Sequence, residues 1–110
     1  MNAYLENTRT QMKKGILEFC ILAILQKEEA YVSDILEKLS KAQLIVVVGT
    51  LYPLLTRLKN GGLLSYDWRE STSGPPRKYY KLTEEGTSTL LELEKTWYEI
   101  KTAIEAAVAK

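Results

Sequence analysis

Apolar residues along the chain fall into a few runs whose spacing names the element each belongs to. The first run, Ile16, Leu17, Phe19, Cys20, Ile21, Leu22, Ile24 and Leu25, is apolar nearly all round. A helix with no polar side belongs at the centre of a core, so a helix is predicted from residue 6 or 8 to residue 26, closed by Lys27-Glu28-Glu29. Val32, Ile35, Leu36 and Leu39 then repeat on one face, with Asp34, Glu37, Lys38 and Lys41 opposite. They predict a second helix from residue 31 or 32 to 41, with Ser33 as its cap. Residues 44–48 look locally like a strand, but a helical signal follows at once, and the stretch is read as a short buried connection. Leu51, Leu54, Leu55 and Leu58 form the stripe of a third helix over 49–60. Pro53 is placed in its first turn, where a missing N–H has no intrahelical partner, and Gly61-Gly62 supplies the stop.

Two short runs rich in β-branched or aromatic residues follow, at 63–68 and 78–82. The polar segment 69–77 between them, with Gly74-Pro75-Pro76, reads as the tip of a hairpin. Thr83 then caps a last helix whose first turn carries Glu84 and Glu85, acids suited to the positive end of the helix dipole. Three helices, a two-stranded hairpin and a further helix make a mainly α fold with a small β-hairpin, in winged helix-turn-helix order. The expected organisation is a winged helix-turn-helix unit over 1–82 and a dimerisation helix over 83–110.

That order gives the charge pattern its meaning. The net charge is only +1, yet residues 1–82 carry a balance of +4 and residues 83–110 a balance of −3. Positive charge gathered in one part of a chain is the footprint of a nucleic-acid surface, whatever the total. On the third helix, the face opposite the leucine stripe presents Thr50, Tyr52, Pro53, Thr56, Arg57 and Lys59. These types suit a phosphate-lined groove: hydroxyls donate to phosphate, arginine can read guanine, lysine neutralises charge. The hairpin adds Arg77 and Lys78, with Arg69 as a further candidate, and Lys13 and Lys14 are weaker ones. Either set, taken alone, also fits an ordinary solvated surface.

Other chemistries find little support. The chain has no histidine, which removes Ser-His and Cys-His catalysis; there is no Cys/His metal set and no glycine-rich phosphate loop. No enzyme activity, cofactor or metal is expected. The one cysteine, Cys20, lies in an apolar helical run and reads as a packed thiol. The longest apolar stretch is too short to cross a membrane and no signal peptide is seen, so a cytoplasmic protein without membrane contact is expected.

In the last helix, Leu90, Leu93, Trp97, Ile100, Ile104 and Ala107 are spaced by alternating threes and fours. This is a heptad seam, and with no element after it the expected partner is the same helix of a second subunit. A homodimer would match a palindromic double-stranded DNA operator. Trp97 and Tyr98, placed mid-seam, are interface core or, alternatively, the contact for a small planar aromatic effector.

The residues that carry these features also resemble a known family. Gly49-Thr50-Leu51-Tyr52-Pro53, Trp68-Arg69-Glu70, Gly74-Pro75-Pro76-Arg77-Lys78-Tyr79-Tyr80 and Leu82-Thr83-Glu84-Glu85-Gly86 look like the PadR family of transcriptional regulators, over roughly residues 12–90. The single C-terminal helix resembles the short, LmrR-like subfamily. The resemblance implies a homodimeric repressor with Thr50, Tyr52, Arg57, Arg77 and Lys78 at DNA-facing positions. It also implies a tryptophan in the last helix that stacks on planar drugs, where Trp97 stands. One departure is plain: residues 45–48, before the Gly-Thr-Leu-Tyr-Pro string, are aliphatic where the family has polar or cap-forming residues. A winged-helix module that binds a protein instead of DNA is the competing expectation.

Overall fold

A computed structural model describes residues 2–44, 46–72 and 74–110. Along them run α1 (Asn2–Lys27), β1 (Ala30–Tyr31), α2 (Val32–Lys41), α3 (Val48–Asn60), β2 (Leu64–Ser71), β3 (Gly74–Leu82) and α4 (Glu84–Val108). The strands form one antiparallel sheet in the order β1-β3-β2. One core joins all of these elements: Leu17, Ile21, Leu22 and Leu25 of α1 meet Ile35 and Leu39 of α2, Leu51, Leu55 and Leu58 of α3, Leu64 and Tyr80 of the hairpin, and Leu90 of α4. The all-round apolar run of α1 is therefore the central post, as its pattern predicts. Cys20 is half-buried there, and burial pushes its thiol pKa up, which keeps it a protonated packing group.

Several expectations need correction. Helix α1 starts at Asn2, well before residue 6, because nothing in the first turns breaks a helix. Local bonds support the exposed start, including a 2.7 Å Glu6–Arg9 ion pair one turn apart. Ser33 does not cap α2. The Tyr31 backbone N–H donates to the Asp34 carboxylate at 3.1 Å, and the Ser33 hydroxyl accepts from Arg77 at 3.3 Å instead. The connection before α3 is not buried throughout: Leu44 and Val46 lean on the core, but Val47 and Val48 are exposed. Ile45 of that stretch lies outside the described residues. Pro53 sits in the second turn of α3, so it leaves the Gly49 carbonyl without its usual helical donor.

The sheet also exceeds the expected hairpin. Ala30 and Tyr31 pair with Tyr80 and Tyr79 as a third strand, too short to leave an alternation in sequence. The hairpin strands run on to Ser71 and Gly74, so most of the polar stretch read as a tip lies within them: Arg69 faces Arg77, Ser71 faces Gly74, and a bulge of Pro75 and Pro76 opposite Glu70 takes up the slip. Pro75 and Pro76 are tolerated because β1 has ended by then and β3 is an edge strand there. Ser73, in the expected tip, lies outside the described residues.

Helices α2 and α3 end alike. In each, two backbone bonds close the last turn: Gln43 N–H to Ser40 and Leu44 N–H to Leu39 after α2, Gly62 N–H to Lys59 and Leu63 N–H to Leu58 after α3. This closure needs a left-handed residue, supplied by Gly62 (φ 83°) after α3 and, at greater steric cost, by Gln43 (φ 65°) after α2. Leu63 then enters a tight junction with the start of α4. Its carbonyl accepts from the Thr83 N–H at 3.1 Å and from the Thr83 hydroxyl at 3.0 Å, while the Thr83 oxygen accepts from the Gly86 N–H at 2.9 Å. Thr83 thus caps α4, as predicted, and fastens it to the end of α3.

Gly86 has no room for a side chain, since a Cβ there would lie 2.1 Å from the Leu63 carbonyl oxygen. Gly86→Ala should destabilise the fold by about 2–3 kcal/mol in chemical denaturation, because the obstruction is backbone and cannot turn away. Gly15→Ala, in open space in the middle of α1, should instead stabilise by about 0.5–1 kcal/mol. Equal effects of the two substitutions would refute this account of the junction.

Candidate nucleic-acid interface

A helix turns about 100° per residue, so its buried stripe fixes what the other sides can reach. With Leu51, Leu55 and Leu58 inward, the outer ridge of α3 carries Gly49, Pro53, Thr56 and Asn60, all exposed. Tyr52 and Lys59 flank that ridge on the side of the hairpin; Thr50 and Arg57 flank it on the side of α1. The contacts agree. Lys59 Nζ stands 5.8 Å from the centre of the Tyr66 ring of β2, and Arg57 pairs with Glu18 of α1 at 3.2 Å.

The hairpin stands beside this helix. Tyr52 of α3, Val32 at the start of α2, and Trp68, Pro76, Arg77 and Lys78 of the hairpin line one open cleft. The two segments chosen from the sequence, one around Tyr52 and one ending at Lys78, therefore meet.

Side-chain alternation along the paired strands sorts the hairpin's cations onto two faces. Tyr66, Trp68, Lys78 and Tyr80 share one face, because Tyr66 pairs with Tyr80 and Trp68 with Lys78. The Lys78 ammonium lies 4.6 Å from the Tyr66 ring centre and 5.6 Å from that of Trp68. On the opposite face, Arg69 stacks on Tyr79 at 3.8 Å and Arg77 on Tyr31 at 4.1 Å. Arg69, Arg77 and Lys78 thus each rest on an aromatic ring, a contact that holds a cation in place without itself cancelling the charge. Burial raises the pKa of the Tyr80 phenol, helped by Tyr52 and Tyr66, so that hydroxyl stays protonated.

Carboxylates divide these cations into two groups. Arg69 is paired with Asp67 at 3.4 Å and Glu29 at 3.2 Å; burial works against its charge, but those bonds and charges hold its pKa above the ordinary value. Arg57 is tied to Glu18. Among the described residues, Lys59, Arg77 and Lys78 have no carboxylate within ion-pair distance. Three uncompensated charges therefore stand around the cleft, with Thr50, Tyr52 and Thr56 exposed on α3 nearby. Lys13 and Lys14 lie on the exposed first half of α1.

Sequence reasoning passed over the rings behind these cations: Tyr31, Tyr66, Trp68 and Tyr79. The signal was present in the alternation of aromatic and basic residues along 66–69 and 77–80. It could be read only once the register was known, because register decides which ring backs which charge. Asn60, which shares the outer ridge of α3, was also missed.

The seam of α4 is split by the fold. Leu90 is fully buried in the chain's own core and Leu93 packs against that core, so Leu90 is unavailable to a second subunit. Trp97 is half-buried, and Ile100, Ile104 and Val108 are exposed at 47%, 51% and 70%. Tyr98 is exposed as well, but it points about 100° round the helix from Trp97 and does not share its side. The first half of α1 likewise exposes Tyr4, Leu5 and Met12.

A helix-turn-helix core carrying a basic two-stranded wing defines a winged-helix protein. The profile of the transcriptional regulator PadR-like family matches residues 21–92, and the chain belongs to that family. It is similar to a solved PadR-like transcription factor from Bacteroides fragilis, 61% identical over 93% of this chain and 99% of that one, with a TM-score of 0.78. A PadR-like transcriptional regulator from Bacillus cereus is 37% identical over 91% and 98% of the two chains, TM-score 0.81. A PadR family transcriptional regulator from Eggerthella lenta is 29% identical over 99% and 96%, TM-score 0.87. The family is one of regulators, not of enzymes, and among the described residues no helix is long and apolar enough to cross a membrane.

The start of α3 bears out the departure noted in its sequence. Its cap is Val47, which offers no side-chain acceptor, and the Val47 carbonyl takes the Thr50 and Leu51 N–H groups at 3.0 and 3.2 Å. Val47 is 68% exposed, so replacing it costs no core packing. Val47→Ser should stabilise the fold by about 0.5–1 kcal/mol, read as a higher denaturation midpoint. An unchanged or lower midpoint would show that the start of α3 is held by something other than its cap.

Proposed function

We propose that this chain is a sequence-specific DNA-binding repressor that works as a homodimer, with α3 in the major groove and the wing on the adjoining phosphate backbone. The observation that carries this reading is the cleft joining Tyr52 of α3 to Lys78 of the wing, flanked by uncompensated Lys59, Arg77 and Lys78. Hydroxyls of Thr50, Tyr52 and Thr56 suit phosphate oxygens, and Arg57, although bound to Glu18, keeps 73% of its side chain exposed and within reach of the backbone. A DNA partner puts the protein in the cytoplasm.

The dimer is assigned to α4 beyond Leu93, together with the exposed half of α1. Residues 1–82 then serve as the DNA-binding unit, with the first turns of α4 completing their core. Trp97, Ile100 and Ile104 form the remaining seam, and a two-fold pair of winged helices matches a palindromic operator. Trp97 offers a flat apolar surface at the inner end of that seam, suited to a small planar ligand that would release the repressor; Tyr98 would have to reach such a ligand from another side of the helix.

Binding to DNA fragments selected from a random duplex pool, measured across salt concentrations, tests the reading. Each lysine or arginine that neutralises a phosphate contributes about one to the slope of log affinity against log salt. Arg77→Ala and Lys78→Ala should each lower that slope by about one and leave the dimer intact. Absence of binding to any duplex would favour a winged-helix module whose partner is a protein. Ile104→Asp should convert the dimer to a folded monomer in sedimentation, since the side chain lies outside the chain's own core. A dimer of unchanged strength would place the interface elsewhere.

A further inference from the structure

We infer that Val47 and Val48 read thymine, by packing against its 5-methyl group in the major groove. The inference rests on the DNA-binding reading and assigns part of its sequence preference. Both valines are exposed, 68% and 46%, at the leading end of α3, the end that a helix-turn-helix inserts among base edges. Val47 occupies the cap position without providing a cap bond. A polar residue would serve the helix better at a site with no packing to lose, and local rules are broken chiefly where function demands it.

The rest of this end of α3 has the same character. From Val47 to Thr56 no side chain is charged, and the ridge offers Gly49, Pro53 and the Thr56 methyl. Arg57, the first charged residue, is paired with Glu18. The helix thus brings little that could read guanine bidentately, and its apolar groups match the one apolar feature of the major groove, the thymine methyl. A duplex is the occupant because the adjoining edge of the molecule carries the uncompensated cations Lys59, Arg77 and Lys78. Those charges hold the backbone while the valines touch the bases.

Uracil in place of thymine removes the methyl and keeps every hydrogen-bonding group, so it isolates the contact. The full-length chain is titrated with a duplex selected from a random pool, and with copies carrying uracil at one thymine at a time. At one or more positions the wild-type protein should bind the uracil duplex about threefold to tenfold more weakly, the range expected for a lost methyl contact. Val47→Ser and Val48→Ala, the first of which is expected to raise thermal stability, should bind the thymine duplex more weakly and lose discrimination at the position each valine touches. A more stable protein with weaker, methyl-blind binding cannot come from a structural role alone. Affinity unchanged by uracil at every thymine would overturn the inference and leave the DNA-binding reading standing, as would discrimination that persists in both variants. Failure to select any duplex would overturn both.

Discussion

The arrangement of this molecule depends on how the Leu63 carbonyl is used. It accepts the Thr83 N–H and shares the Thr83 hydroxyl with the Gly62 carbonyl, and it lies directly over Gly86. Three elements meet in those few atoms: the end of α3, the base of the hairpin and the start of α4. A hairpin on its own is marginal and free to swing. Here both of its ends are fastened, one through the left-handed turn at Gly62 and the other through the Thr83 cap. The angle between α3 and the wing is thereby set by backbone bonds, and the same bonds set where α4 leaves the domain. Glycine at 86 lets the two chain segments approach closely enough for those bonds to form.

A near-neutral chain can still present a positive surface, and its rings show how. Lys78 against Tyr66 and Trp68, and Arg77 against Tyr31, are held by the negative faces of aromatic rings. An acid would hold a cation equally well but would cancel its charge, as Glu18 does for Arg57 and as Asp67 and Glu29 do for Arg69. The choice of partner therefore decides which basic residues remain effective at a distance. A count of lysine and arginine does not show this, and neither does the formal net charge.

Helices α1 and α4 have their inner halves in the core and their outer halves outside it. Along α4 exposure rises from Leu90, fully buried, through Ile100 to Val108; along α1 residues 2–16 are almost entirely exposed, and Leu17 is the first of the helix to be buried. Isolated helical ends gain little from propensity alone and are usually stabilised by packing. Apolar groups repeated at heptad spacing on such an end are what a second copy would cover.

Much of the fold was legible in the sequence because it depends on period and on stop signals. The leucine stripe of α3, the Thr83 cap and the Gly62 turn were placed correctly from those alone. Several of the errors share a cause: a contact distant in sequence overrides the local preference. Strand β1 exists only because Tyr79 and Tyr80 are there to pair with it, and the Ser33 hydroxyl accepts from Arg77, 44 residues away, instead of capping α2. The wing's strands pass through a proline pair because β1 has ended there and pairing with β2 resumes at Gly74. At the start of α3 the valines occupy a place that helix chemistry gives to serine or aspartate. Several of these departures gather in one place. Tyr31, Ser33, Val47, Pro53 and the wing belong to one region, the one that joins Tyr52 to Lys78. A natural sequence tends to agree with itself at every level except where another requirement intervenes. The clustering of disagreements around that cleft thus points to the same surface as the unpaired charges do, by an argument that uses no charge at all.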